Sequence, residues 1–194
     1  MFKIAVLAST NGTDLQAIID ELKAGKMPGI QLTAVVSNKP TCYALTRAIE
    51  QGYHGIFLDP KDKSREDYDA ELARTLQDYD IDLVVLVGYM RILTKPMTDA
   101  FKGRIINVHP SLIPKYCGKD FFGNNVHKAV LANHESETGM TIHYVDQGVD
   151  TGEIILQKSL PVQPHDTPET LKEKVQNLEK QWYPEVIRQI AAKE

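Results

Sequence analysis

The sequence predicts a three-layer α/β fold, with a mostly parallel sheet and an antiparallel extension in the C-terminal half. Three observations carry this. The first half alternates short apolar runs with amphipathic segments of helical period. Those runs are almost unbroken Val, Ile, Leu and Ala, the pattern of strands buried on both faces of a parallel sheet. The second half instead holds two strand-like runs separated by a glycine-rich turn, which suits antiparallel pairing.

Residues 3–8 form the first apolar run, and residues 13–22 follow as a helix with Leu15, Ile18, Ile19 and Leu22 on one face. Residues 32–36 are a second strand and residues 42–51 a second helix. Then come a short strand at 55–58, a helix over 65–77, and the most apolar strand, Leu83-Val84-Val85-Leu86-Val87. Arg104-Ile105-Ile106, bounded by Gly103 and later by Pro110, reads as a buried strand. Residues 141–145 and 153–160 are the antiparallel pair, joined by the turn at 147–152. Thr167 is the expected N-cap of a long last helix, with Pro168 at its first position. No repeat, low-complexity stretch or linker composition divides the chain, so one domain over residues 1–194 is expected.

The chain has 194 residues, 42% apolar and 25% charged, as ordinary globular domains have. A net charge of -4 argues against a dedicated nucleic-acid or membrane-surface binder. Cys42 and Cys117 lie far apart, in no metal-like spacing, so neither a disulfide framework nor a metal site is expected. The opening residues run straight into a strand too short for a signal segment or membrane span, and a cytoplasmic setting is expected.

Two segments carry chemistry. After the strand at 104–106 comes Asn107-Val108-His109-Pro110-Ser111-Leu112-Ile113-Pro114. In an extended chain Asn107 and His109 project from one face, at the carboxyl end of a strand, where open α/β sheets bind ligands. An amide donor beside an imidazole suits a reaction that builds an oxyanion on a carbonyl carbon. Asp150, between Val149 and Thr151, is the candidate carboxylate to tune the imidazole. The blander readings are a turn asparagine, a structural histidine and a turn aspartate.

The second segment is the turn after the first strand, Ser9-Thr10-Asn11-Gly12-Thr13-Asp14-Leu15-Gln16. A strand, a glycine turn and a helix N-terminus together gather free N–H groups that suit a phosphate. The blander reading is that Thr13 or Asp14 merely caps the helix. No GxGxxG or GxxxxGK[ST] is present, which argues against a nicotinamide cofactor and a nucleoside triphosphatase. Asp14 is awkward, because a carboxylate repels a phosphate unless it points away.

Joined together, these segments resemble the folate-dependent formyltransferases, and among them the branch that formylates glycinamide ribonucleotide. The resemblance runs from Ile4 to about Ile187. It rests on Asn11 to Gln16, Ser64-Arg65-Glu66, Gly88-Tyr89-Met90-Arg91-Ile92-Leu93, Asn107 to Pro114, Asp150-Thr151-Gly152, and Glu179 with Tyr183-Pro184. Asn-x-His-Pro-Ser-Leu-x-Pro with a later Asp is the most specific piece.

The resemblance implies a Rossmann-like formyltransferase fold, with a phosphate-binding half over 1–100 and a folate-binding and catalytic half over 101–194. It implies 10-formyltetrahydrofolate as co-substrate, glycinamide ribonucleotide as acceptor, no metal, and a monomer or homodimer. Asn107, His109 and Asp150 would be catalytic. The acceptor would meet Asn11, Gly12, Thr13 and Asp14 at its phosphate, and Gln176 and Glu179 nearby. The folate would contact Met90, Arg91, Ile92, Leu93, Val145 and Gln147, with Arg65 at its benzoyl-glutamate end. Thr141 and His143 share one face of the strand at 141–145 and would stand behind the catalytic residues, against the blander reading of a partly buried histidine. His127 and His134 read as surface or helix-end residues.

The sequence departs from the family pattern in three places. Thr13-Asp14 stands where Ser-Asn is frequent, the loop from Lys115 to Gly123 is longer, and Glu153 replaces a frequent proline. Competing readings differ in the acceptor. A transfer-RNA formyltransferase would need a further domain and a basic surface, and a formyltetrahydrofolate deformylase a regulatory domain before the catalytic fold. Amino-sugar-nucleotide formyltransferases would differ only in the acceptor pocket. A non-catalytic phosphate-binding module would use Asn107 and His109 as structure only, and a formate-using enzyme would need a much longer chain.

Overall fold

The computed structural model describes residues 1–194. The chain runs β1 (Phe2–Ala8), α1 (Thr13–Lys23), β2 (Ile30–Ser37), α2 (Tyr43–Glu50), β3 (Gly55–Phe57), α3 (Arg65–Asp78), β4 (Leu83–Val87), α4 (Lys95–Ala100), β5 (Ile105–His109), α5 (Asn124–Ala132), β6 (Glu137–Tyr144), β7 (Ile154–Pro161) and α6 (Pro168–Ala191). The seven strands form one sheet in the order β3-β2-β1-β4-β5-β6-β7. β1 to β5 are parallel, while β6 runs antiparallel to β5 and β7 to β6, as expected.

Strand alternation divides the core. Ile4, Val6 and Ala8 of β1 pack on one face with Leu15, Ile18 and Ile19 of α1 and Val175, Tyr183 and Val186 of α6. Ala5 and Leu7 face the other way, onto Leu72 and Leu76 of α3 and Met97 of α4. With both faces covered, a polar side chain inside β1 or β4 would meet no water, hence their apolar runs. α6 is capped as expected: Thr167 Oγ1 accepts the Thr170 N–H at 3.2 Å, and Thr170 Oγ1 accepts the Thr167 N–H at 2.9 Å.

Three elements differ from expectation. α4 is a six-residue helix with Pro96 in its first turn, too short to show helical period. α5 buries Val126, His127 and Val130, a stripe that its Asn-Asn opening disguises. β6 begins four residues before the expected Thr141, because Gly139 within it brings its backbone against the Lys158 carbonyl of β7.

The topology positions the site. From β1 the chain winds outward through β2 and β3, then returns to β4 on the other side of β1 and winds the opposite way. The carboxyl ends of β1 and β4 therefore flank the switch point of the sheet, where a crevice opens. Ser9 ties the two loops there: its hydroxyl donates to Asn38 Oδ1 (2.6 Å) and accepts the Met90 N–H (2.9 Å). Buried Tyr183 of α6 directs its hydroxyl at the Leu86 and Ile106 carbonyls, at 2.9 and 3.1 Å. No helix is long and apolar enough to cross a membrane.

Candidate active site

A cleft of about 640 Å³ opens at the switch point, lined from both halves of the chain. Asn107, His109 and Asp150 all line it. β5 supplies the first two at alternate positions, and its register sets Asn107 opposite His143 and His109 opposite Thr141. Asp150 comes from the turn after β6. Its φ of 56° is left-handed, and a Cβ on neighbouring Gly152 would run into the Tyr144 carbonyl. Glycine there lets the turn close back on the end of β6, which brings Asp150 to the two histidines.

The electrostatics follow from two carbonyls, one backbone N–H and a carboxylate. His143 Nδ1 lies 2.8 Å from the Tyr144 carbonyl and donates to it, which turns Nε2 toward Asn107 and Asp150. The Asn107 amide, Nδ2 at 3.3 Å, donates to that Nε2 and keeps its second hydrogen for the cleft. His109 Nε2 donates to the Tyr116 carbonyl (2.8 Å), leaving Nδ1 to face Asp150 Oδ2 at 3.6 Å. Asp150 Oδ1 lies 3.6 Å from His143 Nε2, and Oδ2 accepts the Gly118 N–H at 2.9 Å. Burial lowers the His109 pKa, against the opposing pull of Asp150 and the Tyr116 carbonyl. For Asp150 burial pushes upward, but His143, His109 and the Gly118 N–H outweigh it and hold the carboxyl below its ordinary range.

At the other end lies the turn after β1. Gly12 is the N-cap of α1 in the left-handed region (φ 67°), and no side chain caps the helix. The capping role weighed for Thr13 and Asp14 is therefore not what they do. A Cβ on Gly12 would lie 2.8 Å from Ala44 Cβ, so the turn is pressed against α2. Asn11, Gly12, Thr13 and Asp14 line the cleft, with Gln176 and Glu179 of α6. Asp14 is 6% exposed, and its Oδ1 has no hydrogen-bond partner. Burial raises its pKa to about 7, against Lys180, and burial followed by Asp14 raises Glu179.

Of the expected folate contacts, Met90, Arg91, Ile92, Leu93 and Val145 line the cleft. Arg91 stacks its guanidinium over the Tyr68 ring, 4.4 Å from the centroid. Two residues are not brought in. Gln147 turns its amide toward Asp99 Oδ1 (3.5 Å), because the 146–151 turn is closed inward by Asp146, which accepts from Thr151 and Gly148. Arg65 donates to the Ile92 carbonyl (2.7 Å) and does not itself line the cleft. Thr141 also lies outside the cleft: its hydroxyl donates to the Ser111 carbonyl (2.6 Å) and accepts the Ile113 N–H (3.1 Å), holding the segment after His109.

His127 corrects the sequence reading. It is 2% exposed, lines the cleft, and has an unpartnered Nδ1. Burial, then Lys172 and His109, lower its pKa to about 4, so the ring is neutral. The signal that would have found it is the Val126 and Val130 spacing around it, which marks a buried helix face. Phe121 and Phe122 of the long loop, and Lys172, also line the cleft unforeseen.

The formyl transferase family pattern matches residues 2–187. The chain is 40% identical over 189 residues to phosphoribosylglycinamide formyltransferase of Haemophilus influenzae, covering 97% of this chain and 86% of that protein. It is 40% identical over 188 residues to the trifunctional purine biosynthetic protein adenosine-3 of Drosophila melanogaster, covering 95% of this chain but 14% of that much longer protein. Among solved structures, glycinamide ribonucleotide transformylase 1 of Symbiobacterium toebii superposes with a TM-score of 0.92 at 41% identity, covering 99% of this chain and 88% of that one.

Proposed function

The chain belongs to the formyl transferase family, and from that premise we propose that it carries the formyl group of 10-formyltetrahydrofolate to the amine of glycinamide ribonucleotide in purine biosynthesis. The observation that carries the reading is the convergence of Asn107, His109 and Asp150 on one wall of the cleft, with the uncapped Gly12 turn lining its other end. The cytoplasm is the setting such a pathway enzyme would have.

The acceptor amine attacks as the neutral base, forming a new N–C bond and leaving negative charge on the former carbonyl oxygen. The free hydrogen of the Asn107 amide donates to that oxygen, a contact worth on the order of 3 kcal/mol in comparable sites. His143 holds this amide by the hydrogen bond described above, so the donor is oriented before substrate arrives. The bond from the formyl carbon to the folate nitrogen then breaks, and the nitrogen leaves with the proton that the amine gives up. His109 is the carrier for that proton, and Asp150 beside Nδ1 stabilises the ring while it is charged.

The acceptor's phosphate is read onto the N–H groups of Gly12, Thr13 and Asp14 at the start of α1, with Gln176 and Glu179 beside its sugar. The folate is read against Met90 to Leu93 and the backbone near Val145. The direct test is folate product formation with glycinamide ribonucleotide, with an amino-sugar nucleotide, and with no acceptor. Turnover only with glycinamide ribonucleotide supports the assignment. Turnover without acceptor would replace it by deformylase chemistry on the same three residues.

A further inference from the structure

Two carboxyl groups, Asp14 and Glu179, are buried at the acceptor end of the cleft, and nothing in the transfer chemistry accounts for the first. Asp14 stands in the first turn of α1, beside an uncapped helix N-terminus where a phosphate would sit, with one oxygen unpartnered. As a carboxylate it would repel that phosphate; as a carboxylic acid it would offer one O–H donor to it.

The surroundings favour the acid. Glu179 of α6 is equally buried and lines the same end, and two carboxylates in one buried site do not both ionise readily. The cations on α6, Lys172 and Lys180, act on this pair, but neither hydrogen-bonds Asp14 Oδ1. Tyr183 of α6 spends its hydroxyl on the Leu86 and Ile106 carbonyls. From α2, Arg47 is engaged by the Asn11 carbonyl and Gln16, and Cys42 just before it by the Thr10 carbonyl. β2 and β4, which also pack on α1, contain no titratable residue.

We propose that Asp14 enters the acceptor complex as its carboxylic acid and donates a hydrogen bond to the acceptor's phosphate, so that acceptor binding takes up a proton above neutral pH. This rests on the phosphate reading of the Gly12 turn. It makes Asp14 a determinant of acceptor affinity that acts through its own proton. In the free protein burial sets that proton's affinity near neutral.

The test is calorimetric binding of glycinamide ribonucleotide to the whole chain at pH 6.5, 7.5 and 8.5, in two buffers of different ionisation heat, for the wild type, Asp14→Asn and Glu179→Gln. Between pH 7.5 and 8.5 the wild-type Kd should rise about tenfold relative to that of Asp14→Asn. Proton uptake should approach one per acceptor in the wild type and fall by that amount in Asp14→Asn. The acceptor's own amine titrates identically with every variant, so the difference isolates the protein. Equal slopes and equal proton counts in wild type and Asp14→Asn overturn the proposal, as does a slope that vanishes only in Glu179→Gln. If formyl transfer persists in that case, the transferase reading stands without it. Absence of acceptor binding to every variant overturns the phosphate reading and this proposal together.

Discussion

Asn107 lies directly opposite His143 across the β5–β6 pairing, and its amide nitrogen is 3.3 Å from the imidazole Nε2. Strand register thus sets the orientation of the proposed oxyanion donor, because His143 is itself fixed by donating to the Tyr144 carbonyl. Asn107→Ala should lower kcat by about 10²- to 10³-fold, the usual loss of one oxyanion donor. His143→Ala should lose less, about tenfold, since the amide stays but turns freely. Steady-state kinetics with KM little changed in both would agree; an unaffected His143→Ala would show that register alone holds Asn107.

His109→Ala should reduce turnover by at least about a hundredfold with the fold intact by circular dichroism. For the wild type, kcat/KM should fall below about pH 8 as the acceptor's amine, ordinarily near 7.7–8.0, takes up a proton. Asp150 is held below the ordinary carboxylate range and so stays ionised through this window. A profile flat from pH 5 to 8 would contradict the mechanism.

Two buried groups should bend the stability curve in opposite directions. His127 titrates near 4 when folded and near 6.5 when unfolded, so its favourable contribution is complete above 6.5 and is lost as pH falls toward 4. Between pH 7 and 5 this amounts to about 2 kcal/mol, and His127→Gln should remove that dependence in urea unfolding. Asp14 is the reverse case. Its raised pKa means stability is fully present below its unfolded value near 3.9 and lost as pH rises to about 7. Asp14→Asn should therefore gain on the order of 2–4 kcal/mol relative to wild type at pH 7.5 but little at pH 4. Parallel curves for either pair of proteins would refute the corresponding account.

Gly152→Ala should distort the turn that carries Asp150, because its Cβ would run into the Tyr144 carbonyl. A cost of about 1–3 kcal/mol is expected, as for other forced overpacking, together with lost turnover. A variant as active as wild type would mean that the turn relaxes without moving Asp150.

Much of this arrangement was legible beforehand. Leu83–Val87 and the start of α6 at Pro168 fall where the sequence put them, because an unbroken apolar run and a Thr-Pro opening are strong local signals. Asn107, His109 and Asp150 were legible as a motif, yet the role of His143 depends on register, which no local pattern writes. His127 was misjudged for a related reason: its polarity suggested surface, but tertiary packing buries it on the inner face of α5. The folate contacts of Arg65 and Gln147 were implied by resemblance alone, whereas their side chains here engage the Ile92 carbonyl and Asp99.

Tyr183 gives the cleft a common datum. Its one hydroxyl meets the Ile106 carbonyl, on the residue before Asn107, while Glu179 sits one helical turn earlier on the same helix. The proposed acceptor seat and the proposed oxyanion amide thus share a single fastening, and a shift of α6 along its axis would strain it. Under that proposal the alignment of the transfer is referred to the core, away from either substrate.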